Sequence, residues 1–405
     1  MADGNGQEST SVKSSKMRRI LRAAALKRAV SLSCSIHFAC THSLRLLRGF
    51  TAVRPFFLTA IFLVAAAFFS PLYAQSVSVP SEDSVPLLEK VELEELPPAE
   101  EYYVDDSPLN QILKLFDEED YERQKAFLEQ KQKKIIKEAG GIKLSGAKFE
   151  QEIIHEYIAR YMTKFGKESL YKILDDGEYY RLYIRQELKK RSLPAVLEYL
   201  PLVESEYKPA AKSRSGARGL WQFMENSIKP FLKKNEWLDE RLDPWKATDA
   251  ALSKLMDNYG MFGDWALAIG AYNCGAGAMR RALKKSPVKT FWYLAEHKMI
   301  PEETANYVPK LIAINEIAEN GEEYRVELPK LSQTRHYADF DYVTTKSSIS
   351  LRRLASEIRI SYDTIRNLNL ELIHGETPPY EYKLRLPMGM KLTAQEAIQE
   401  IEDKG

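Results

Sequence analysis

The sequence predicts a mainly helical protein that ends in a small unit of strands and helices. Apolar residues recur at helical spacing from about residue 150 to residue 318, and no strand-like alternation of comparable length occurs there. After Pro329 the pattern changes to short strand and helix candidates. Upstream of residue 109, basic, apolar and acidic stretches follow one another instead. With 405 residues, the chain is long enough for two or three folded units and their linkers.

The charge is spread unevenly along the chain, which argues against a nucleic-acid-binding protein. Residues 1–74 contain ten lysines and arginines but only two acidic residues, whereas the whole chain has a formal net charge of +1. The rest of the chain is therefore clearly acidic. Binding to nucleic acids depends on cations that replace the counterions of the phosphates. We expect no nucleic-acid partner.

Residues 1–74 are predicted to be a basic extension with a signal segment. The apolar run Phe56–Phe69 has fourteen residues, fewer than the roughly 20 that span a bilayer, and Ala74 offers a small residue for cleavage. We therefore expect export. Because Leu72 is a poor residue three positions before the cleavage site, an uncleaved membrane anchor over residues 56–74 remains the alternative.

Two segments without predicted chemistry come next. Residues 75–108 are expected to be a disordered linker, because ten acidic residues and five prolines leave too little apolar surface to bury. Residues 109–149 show a highly charged helical pattern that ends at Gly140-Gly141. We interpret this pattern as a solvated helix.

Residues 150–328 form the predicted helical domain. Near its start, one apolar stripe is made by Ile153, Ile154, Tyr157, Ile158 and Tyr161. The spacing of such stripes predicts six to eight helices packed around one core.

Glu204 is the candidate catalytic residue of this domain. It follows an apolar stretch, and Pro209 is expected to end the helix soon afterwards. The residues that follow include turn-forming and large apolar ones, namely Gly216, Gly219, Trp221, Phe223 and Met224. A carboxyl group among such neighbours is partly desolvated, so its pKa rises and it can serve as a general acid near neutral pH. The alternative is a solvated helix end beside an ordinary turn.

Three motifs occur in order within about 105 residues. The first covers residues 204–224 and contains Glu-Ser, an aromatic residue two positions later, Pro-x-Ala and Gly-Ala-x-Gly-Leu-Trp-Gln-Phe-Met. The second is Ala-Tyr-Asn-Cys-Gly at 271–275, and the third is Pro-x-Glu-Thr-x-x-Tyr-Val at 301–308. In order and spacing, these motifs resemble those of bacterial lytic transglycosylases, in particular the membrane-bound lytic murein transglycosylase D type.

This resemblance implies a lysozyme-like helical domain whose cleft holds a glycan strand of peptidoglycan. Glu204 occupies the family's catalytic position, first as general acid and then as general base. Two groups of residues fall on positions that line the cleft or contact the sugar, namely Ser213, Gln222 and Met224, and Tyr272, Asn273 and Tyr307. The alternatives are a turn cap for Ser213, a core position for Met224 and ordinary packing for the two tyrosines.

No metal or cofactor is expected. The six histidines are scattered without the spacing of metal ligands. Cys274 replaces a smaller residue of the second motif and has no histidine nearby in the sequence, so we interpret it as a small buried residue.

Residues 332–392 are predicted to form a second, smaller domain, followed by a tail over residues 393–405. The order of candidates is strand, helix, helix, strand, beginning at Phe340 and ending near Pro387. This order and Asn367-Leu368-Asn369 resemble a lysin-motif (LysM) module, which implies binding to N-acetylglucosamine. The sequence departs from the family at residues 346–349, where Gly-Asp-Thr-Leu is usual. The alternative is a buttressing domain without a ligand site.

Together these observations predict an exported, periplasmic peptidoglycan lytic transglycosylase of the bacterial cell envelope. Its products would end in 1,6-anhydro-N-acetylmuramic acid. Hydrolytic glycosidases usually need two carboxylates, and no acidic residue lies between Glu206 and Glu225. The alternatives are a hydrolytic muramidase, with a second carboxylate from Asp239, Glu240 or Asp243, and a catalytically silent wall-binding protein. No protein partner is predicted.

Overall fold

The computed structural model describes residues 102–103, 117–130, 135–332 and 340–403. The predicted signal segment and most of the predicted linker lie outside these residues. Within the described ranges, we find no helix with the length and apolar character of a membrane span.

One part of the predicted linker is a strand. β1 (Tyr102–Tyr103) pairs in parallel with β4 (Ala211–Lys212), two residues against two. The prediction of a linker without structure is therefore wrong at these two residues. The partner strand is far away in the sequence, so the local acidic composition gave no sign of the pairing.

The segment 109–149, predicted to be helical, is helical only in part of its described residues. α1 (Glu118–Gln130) is followed by an antiparallel hairpin of β2 (Glu138–Ala139) and β3 (Ile142–Lys143). Gly140-Gly141 form the turn of this hairpin and do not end a helix. Gly140 has a φ of +52°, and a Cβ there would lie 2.4 Å from Asn315 Oδ1. The glycine is thus required for close packing of the hairpin on the core.

α1 is not simply solvated. Tyr121 and Leu128 on this helix are buried and belong to the main hydrophobic core. Asp120 also accepts a hydrogen bond from the backbone nitrogen of Lys164 at 2.7 Å. α1 therefore has a narrow apolar face that packs against the next helix, although most of its residues are charged.

The predicted mainly helical fold is confirmed. The helices after the hairpin are α2 (Lys148–Met162), α3 (Lys164–Asp176), α4 (Glu178–Lys190), α5 (Leu200–Ser205), α6 (Pro244–Phe262), α7 (Trp265–Cys274), α8 (Ala276–Lys285), α9 (Phe291–Glu296) and α10 (Glu302–Glu319). Across the described residues 148–319 there are thus nine α-helices, where six to eight were predicted. α5 and α9 each have six residues, which is too short to show helical periodicity in the sequence.

α10 lies at the centre of the core. Its residues 311–314 are completely buried, and it packs against α2, α7 and α9. The stripe predicted on α2 faces this core, because Ile154 and Ile158 are also fully buried. This packing fixes the position of α10 and, with it, the positions of the side chains at its amino-terminal end.

The carboxyl-terminal unit begins with the predicted order of strand, helix, helix and strand, and a helix that was not predicted follows. It consists of β5 (Phe340–Thr345), α11 (Leu351–Glu357), α12 (Tyr362–Asn367), β6 (Tyr382–Pro387) and α13 (Lys391–Asp403). β5 and β6 pair antiparallel, from Phe340 opposite Pro387 to Thr345 opposite Tyr382.

The predicted tail belongs to this unit instead of extending from it. α13 begins at Lys391 and buries Ala394, Ile398 and Ile401 in the core of the unit. These three residues are spaced four and three positions apart, which places them on one face of a helix. The interpretation of residues 393–405 as a tail is therefore wrong for the described part, which ends at Asp403.

The carboxyl-terminal unit is joined to the helical domain by backbone hydrogen bonds and by a shared core. Leu238, which precedes α6, belongs to the hydrophobic core of the carboxyl-terminal unit. The backbone nitrogen of Asp239 donates to the oxygen of Glu371 at 2.9 Å, and Ile373 donates to Trp237 at 3.0 Å. The chain segment 237–239 is thus shared by both parts of the molecule.

A buried group of charges completes this junction. Arg385 donates to Asp243 at 2.6 Å and to Glu371 at 3.1 Å, and its guanidinium group lies 4.7 Å from the ring centroid of Trp245. Asp243 is completely buried and also caps α6, because it accepts hydrogen bonds from the backbone nitrogens of Trp245 and Lys246. The amino-terminal end of α6 is therefore anchored to the carboxyl-terminal unit.

We expect Arg385→Met to destabilise the full chain strongly. The substitution removes the cation between two buried carboxylates, and breaking a buried ion pair on one side costs about 3–5 kcal/mol. Urea unfolding of the variant and of the wild type measures the change in the free energy of unfolding. Arg353→Met, at an exposed position of α11, is the matched control. Equal unfolding midpoints for Arg385→Met and the wild type would contradict the proposed anchoring.

Candidate active site

Glu204 lies near the end of the short helix α5. The helix ends because Glu206 and Tyr207 both adopt left-handed backbone conformations, with φ values of 51° and 57°. Pro209, the predicted stop, comes after this point. Leu202 is fully buried, and Ser205 Oγ donates to the oxygen of Leu220 at 2.7 Å. These contacts fix α5 to the core and to the loop that follows it.

The loop over residues 211–224 turns tightly beside α5. The backbone nitrogen of Gly219 donates to the oxygen of Ala211 at 2.8 Å, and Arg218 and Phe223 exchange two backbone hydrogen bonds. Gly219 has a φ of +81°, and a Cβ there would lie 1.8 Å from the oxygen of Arg241. Only glycine fits this position, so the glycine of the first motif has a steric reason.

The hydroxyl group of Tyr307 donates a hydrogen bond to Glu204 Oε1. Tyr307 lies on α10 and is buried, whereas Glu204 is partly buried and retains some exposure to solvent. Tyr272 on α7 lies beside them and donates its hydroxyl to the oxygen of Trp221 at 2.8 Å. Three residues from three separate parts of the sequence thus meet, and they belong to the three motifs.

The carboxyl group of Glu204 has an unusually high proton affinity. Burial raises its pKa to about 7, although the hydrogen bond from Tyr307 opposes the rise. The charge of Glu303 raises the pKa further, and the charge of Lys254 lowers it. Burial also raises the pKa of Tyr307 well above the usual value of a phenol, so its hydroxyl keeps its proton at neutral pH. Glu204 can therefore release and regain a proton near pH 7.

Glu303 is a second carboxylate beside Glu204 that the sequence analysis missed. Asn273 Nδ2 donates to Glu303 Oε1 at 3.1 Å, and Thr304 Oγ1 donates to Asn273 Oδ1 at 2.6 Å. Glu303 belongs to the third motif and precedes Tyr307 by four residues. Residues four apart share one face of a helix, and this spacing was the available signal.

The acidic residues that the sequence analysis considered as partners of Glu204 have other roles. Their carboxylates form ion pairs, Asp239 with Arg241 at 2.7 Å, Glu240 with Lys246 at 2.8 Å and Asp243 with Arg385 at 2.6 Å. All three belong to the segment that supports the start of α6. In the described structure, the charges that act on Glu204 come from Glu303 and Lys254. The alternative that one of these three carboxylates lies near Glu204 is therefore not supported.

The other predicted site residues surround this group in different ways. Gln222 Nε2 donates to the backbone oxygens of Ala211 and Gly219, so the side chain holds its own loop together. Ser213 Oγ accepts a hydrogen bond from the backbone nitrogen of Ala217 at 3.0 Å, which is the contact of a turn cap. Met224 is 37% exposed and is not a core residue.

Cys274 has the properties of a structural residue. Its side chain is partly buried, and burial raises the pKa of the thiol. The thiol therefore stays protonated at neutral pH and is a weak nucleophile. Among the described residues, no group of three or more histidine, cysteine or acidic side chains is placed to hold a metal ion.

Comparisons with known proteins agree with the motifs. Residues 181–294 match the family model of the Transglycosylase SLT domain. Over 226 residues the chain is 32% identical to the membrane-bound lytic murein transglycosylase D of Escherichia coli strain K12, which covers 54% of this chain and 48% of that protein. It is also 40% identical over 109 residues to a putative tributyltin chloride resistance protein of Alteromonas sp. strain M-1, covering 26% of this chain and 53% of that protein.

A solved structure of an inactive mutant of the lytic transglycosylase Slt from Pseudomonas aeruginosa has 20% sequence identity and a TM-score of 0.33, covering 56% of this chain and 34% of that one. The chain spans about half the length of the curated relatives that it matches. The resemblance inferred from the motifs is thus confirmed: residues 181–294 match the Transglycosylase SLT domain, and the chain is similar in sequence to a lytic murein transglycosylase.

Proposed function

We propose that the protein is a peptidoglycan lytic transglycosylase that cleaves the β-1,4 bond between N-acetylmuramic acid and N-acetylglucosamine. The observation that carries this proposal is Glu204, a carboxyl group held against Tyr307 with a pKa raised to about 7. It lies within residues that match the Transglycosylase SLT domain. The reaction needs no metal or cofactor, because proton transfers and an attack by the substrate itself complete it.

In the first step Glu204 acts as the general acid. Its proton passes to the glycosidic oxygen, the bond from this oxygen to the anomeric carbon of the muramic acid breaks, and Glu204 becomes a carboxylate. In the second step the carboxylate takes the proton of the 6-hydroxyl of the same sugar, whose oxygen bonds to the anomeric carbon. Glu204 is protonated again, and the product is a 1,6-anhydro sugar. A hydroxyl held on the substrate has a large effective concentration, which favours this attack over attack by water.

The remaining predicted residues would contact the glycan or hold the groups that contact it. Met224 offers an exposed apolar side chain at the end of the loop over residues 211–224, and Gln222 and Ser213 shape that loop. Tyr272 would act through its ring, since its hydroxyl is engaged with Trp221. Asn273 would act by fixing Glu303. Contact of these residues with sugar is part of the proposal.

A hydrolytic muramidase is the second candidate, and Glu303 is the observation in its favour. Hydrolysis usually uses one carboxylic acid and a second carboxylate as base or nucleophile. The charge of Glu303 acts on Glu204, so a second carboxylate is available. The absence of a second carboxylate therefore no longer argues against hydrolysis. Only the products of the reaction distinguish the transglycosylase from the muramidase.

We place this activity in the bacterial cell envelope. The Escherichia coli relative is named as membrane-bound, and the predicted signal segment, with residues 56–74, supports export to the periplasm. Glycan binding by the carboxyl-terminal unit remains a prediction from its resemblance to a LysM module. Its buried contacts through Arg385 support the alternative function of a buttress.

The sharpest test of the proposed reaction is mass spectrometry of the muropeptides that the full chain releases from purified sacculi. We expect products that end in 1,6-anhydro-N-acetylmuramic acid, one water lighter than hydrolysed ends and resistant to borohydride reduction. Mostly reducible, hydrated ends would establish the muramidase instead. Sacculi that bind the protein but release no fragments would leave the wall-binding alternative.

We expect Glu204→Gln to abolish cleavage while the fold stays close to that of the wild type. The amide has nearly the same shape but cannot donate the proton, and general acid catalysis contributes about 10²–10⁴-fold to the rate. Release of soluble fragments measures the activity, and circular dichroism checks the fold. Glu225→Gln, at an exposed position, is the matched control and should retain full activity. If Glu204→Gln kept more than about a tenth of the activity, the acid would be another residue.

A further inference from the structure

Lys254 is a charged residue of the site that takes no part in the two proton transfers of the proposed reaction. It lies on α6, and its ammonium nitrogen is 4.8 Å from the ring centroid of Tyr272 and 5.2 Å from that of Phe223. An ammonium group over aromatic rings is attracted by their negative faces. Within the described residues, the ammonium group makes neither a hydrogen bond nor an ion pair. The two rings therefore hold a cation whose hydrogen-bonding capacity remains unused.

Lys254 and Glu204 act on one another electrostatically. Burial lowers the pKa of Lys254, and the charge of Glu204 opposes this effect. Conversely, the charge of Lys254 lowers the pKa of Glu204. The two groups come from α6 and α5, and no direct ion pair joins them in the part of the chain that the structure describes. The interaction therefore acts through space, without direct contact between the two charged groups.

The groups that face Glu204 come from three other helices. Tyr307 and Glu303 belong to α10, Tyr272 to α7 and Lys254 to α6. Burial raises the pKa of both tyrosines well above the usual value, so they are neutral near pH 7. Only two charged side chains act on Glu204 in the described structure, and their effects are opposite. Glu303 favours the protonated acid, whereas Lys254 favours the carboxylate.

We propose that Lys254 is a positioning residue of the proposed reaction: its ammonium group, held over the rings of Tyr272 and Phe223, stabilises the carboxylate that Glu204 becomes when it donates its proton. The proton moves from Glu204 to the glycosidic oxygen, and Lys254 keeps all of its own protons throughout. The catalytic use of this interaction rests on the proposed function. The electrostatic coupling of the two side chains does not.

The test is the variant Lys254→Met, which removes the charge and keeps a long side chain. Without the cation, the protonated form of Glu204 is favoured and its pKa rises. The alkaline limb of the pH profile of kcat/KM should therefore move to higher pH. The plateau should fall, because a weaker acid donates its proton less readily. We expect a fall of about tenfold or less, smaller than the 10²–10⁴-fold contribution of the general acid itself.

Three further variants separate this role from a structural one. Lys254→Arg keeps the cation and should keep the alkaline limb in place. Glu303→Gln removes the opposing charge, so its limb should move to lower pH. Lys285→Met, at an exposed position of α8, should leave the profile unchanged. If Lys254→Met lowered the plateau without moving the limb, Lys254 would serve packing alone and the proposal would be overturned.

A second readout does not depend on activity. The infrared band of the protonated Glu204 carboxyl group, assigned in the full chain by its loss in Glu204→Gln, gives the pKa directly. A higher pKa in Lys254→Met supports the coupling even if no glycan is cleaved, in which case only the proposed function fails. An unchanged pKa in a folded and active variant overturns the role of Lys254 and leaves the proposed function intact.

Discussion

The burial of the Glu204 carboxyl group against the hydroxyl of Tyr307 is the constraint on which the site depends. In water a glutamate side chain is ionised at neutral pH, since its usual pKa is about 4.3. Burial raises the pKa to about 7, and the hydrogen bond from Tyr307 only partly offsets the loss of water. The protein therefore holds a carboxyl group that can donate and accept a proton in the same pH range. Both steps of the proposed reaction need this property.

The fold keeps this carboxyl group in place from two sides. Tyr307 lies on α10, whose residues 311–314 are completely buried in the core. On the other side, Arg241 donates to the backbone oxygens of Gly216 at 3.1 Å and Phe223 at 3.3 Å, and its guanidinium group pairs with the buried Asp239. The loop beside α5 is thus supported by a buried cation.

The same support extends to the carboxyl-terminal unit. The carboxylate of Asp239 pairs with Arg241, and its backbone nitrogen donates a hydrogen bond to the backbone oxygen of Glu371. The side chain of Glu371 in turn accepts a hydrogen bond from Arg385. A continuous series of buried contacts therefore runs from β6 to the loop beside Glu204. The carboxyl-terminal unit contributes to the shape of the site through this series, whatever its own affinity for glycans.

Sequence reasoning reached the parts of this structure that depend on local patterns. The mainly helical fold followed from the spacing of apolar residues. An acidic residue between apolar and glycine-rich stretches made Glu204 a candidate, and the motif resemblance to lytic transglycosylases singled it out. Glu303 lies four residues before Tyr307 on one face of α10, but its proximity to Glu204 also depends on how α10 packs against α5, and it was missed for that reason. β1 and the hydrogen bonds of Asp239 were missed for the same reason, since their partners are distant in the sequence.

The central claim is tested most directly by the pKa of Glu204 in the full-length wild-type protein. The measurement is an infrared titration of the protonated carboxyl band that disappears in Glu204→Gln. The account predicts a pKa of about 7, set chiefly by burial. A value near the ordinary 4.3 or so of a solvated glutamate would contradict it, because Glu204 would then be ionised before it could serve as the acid.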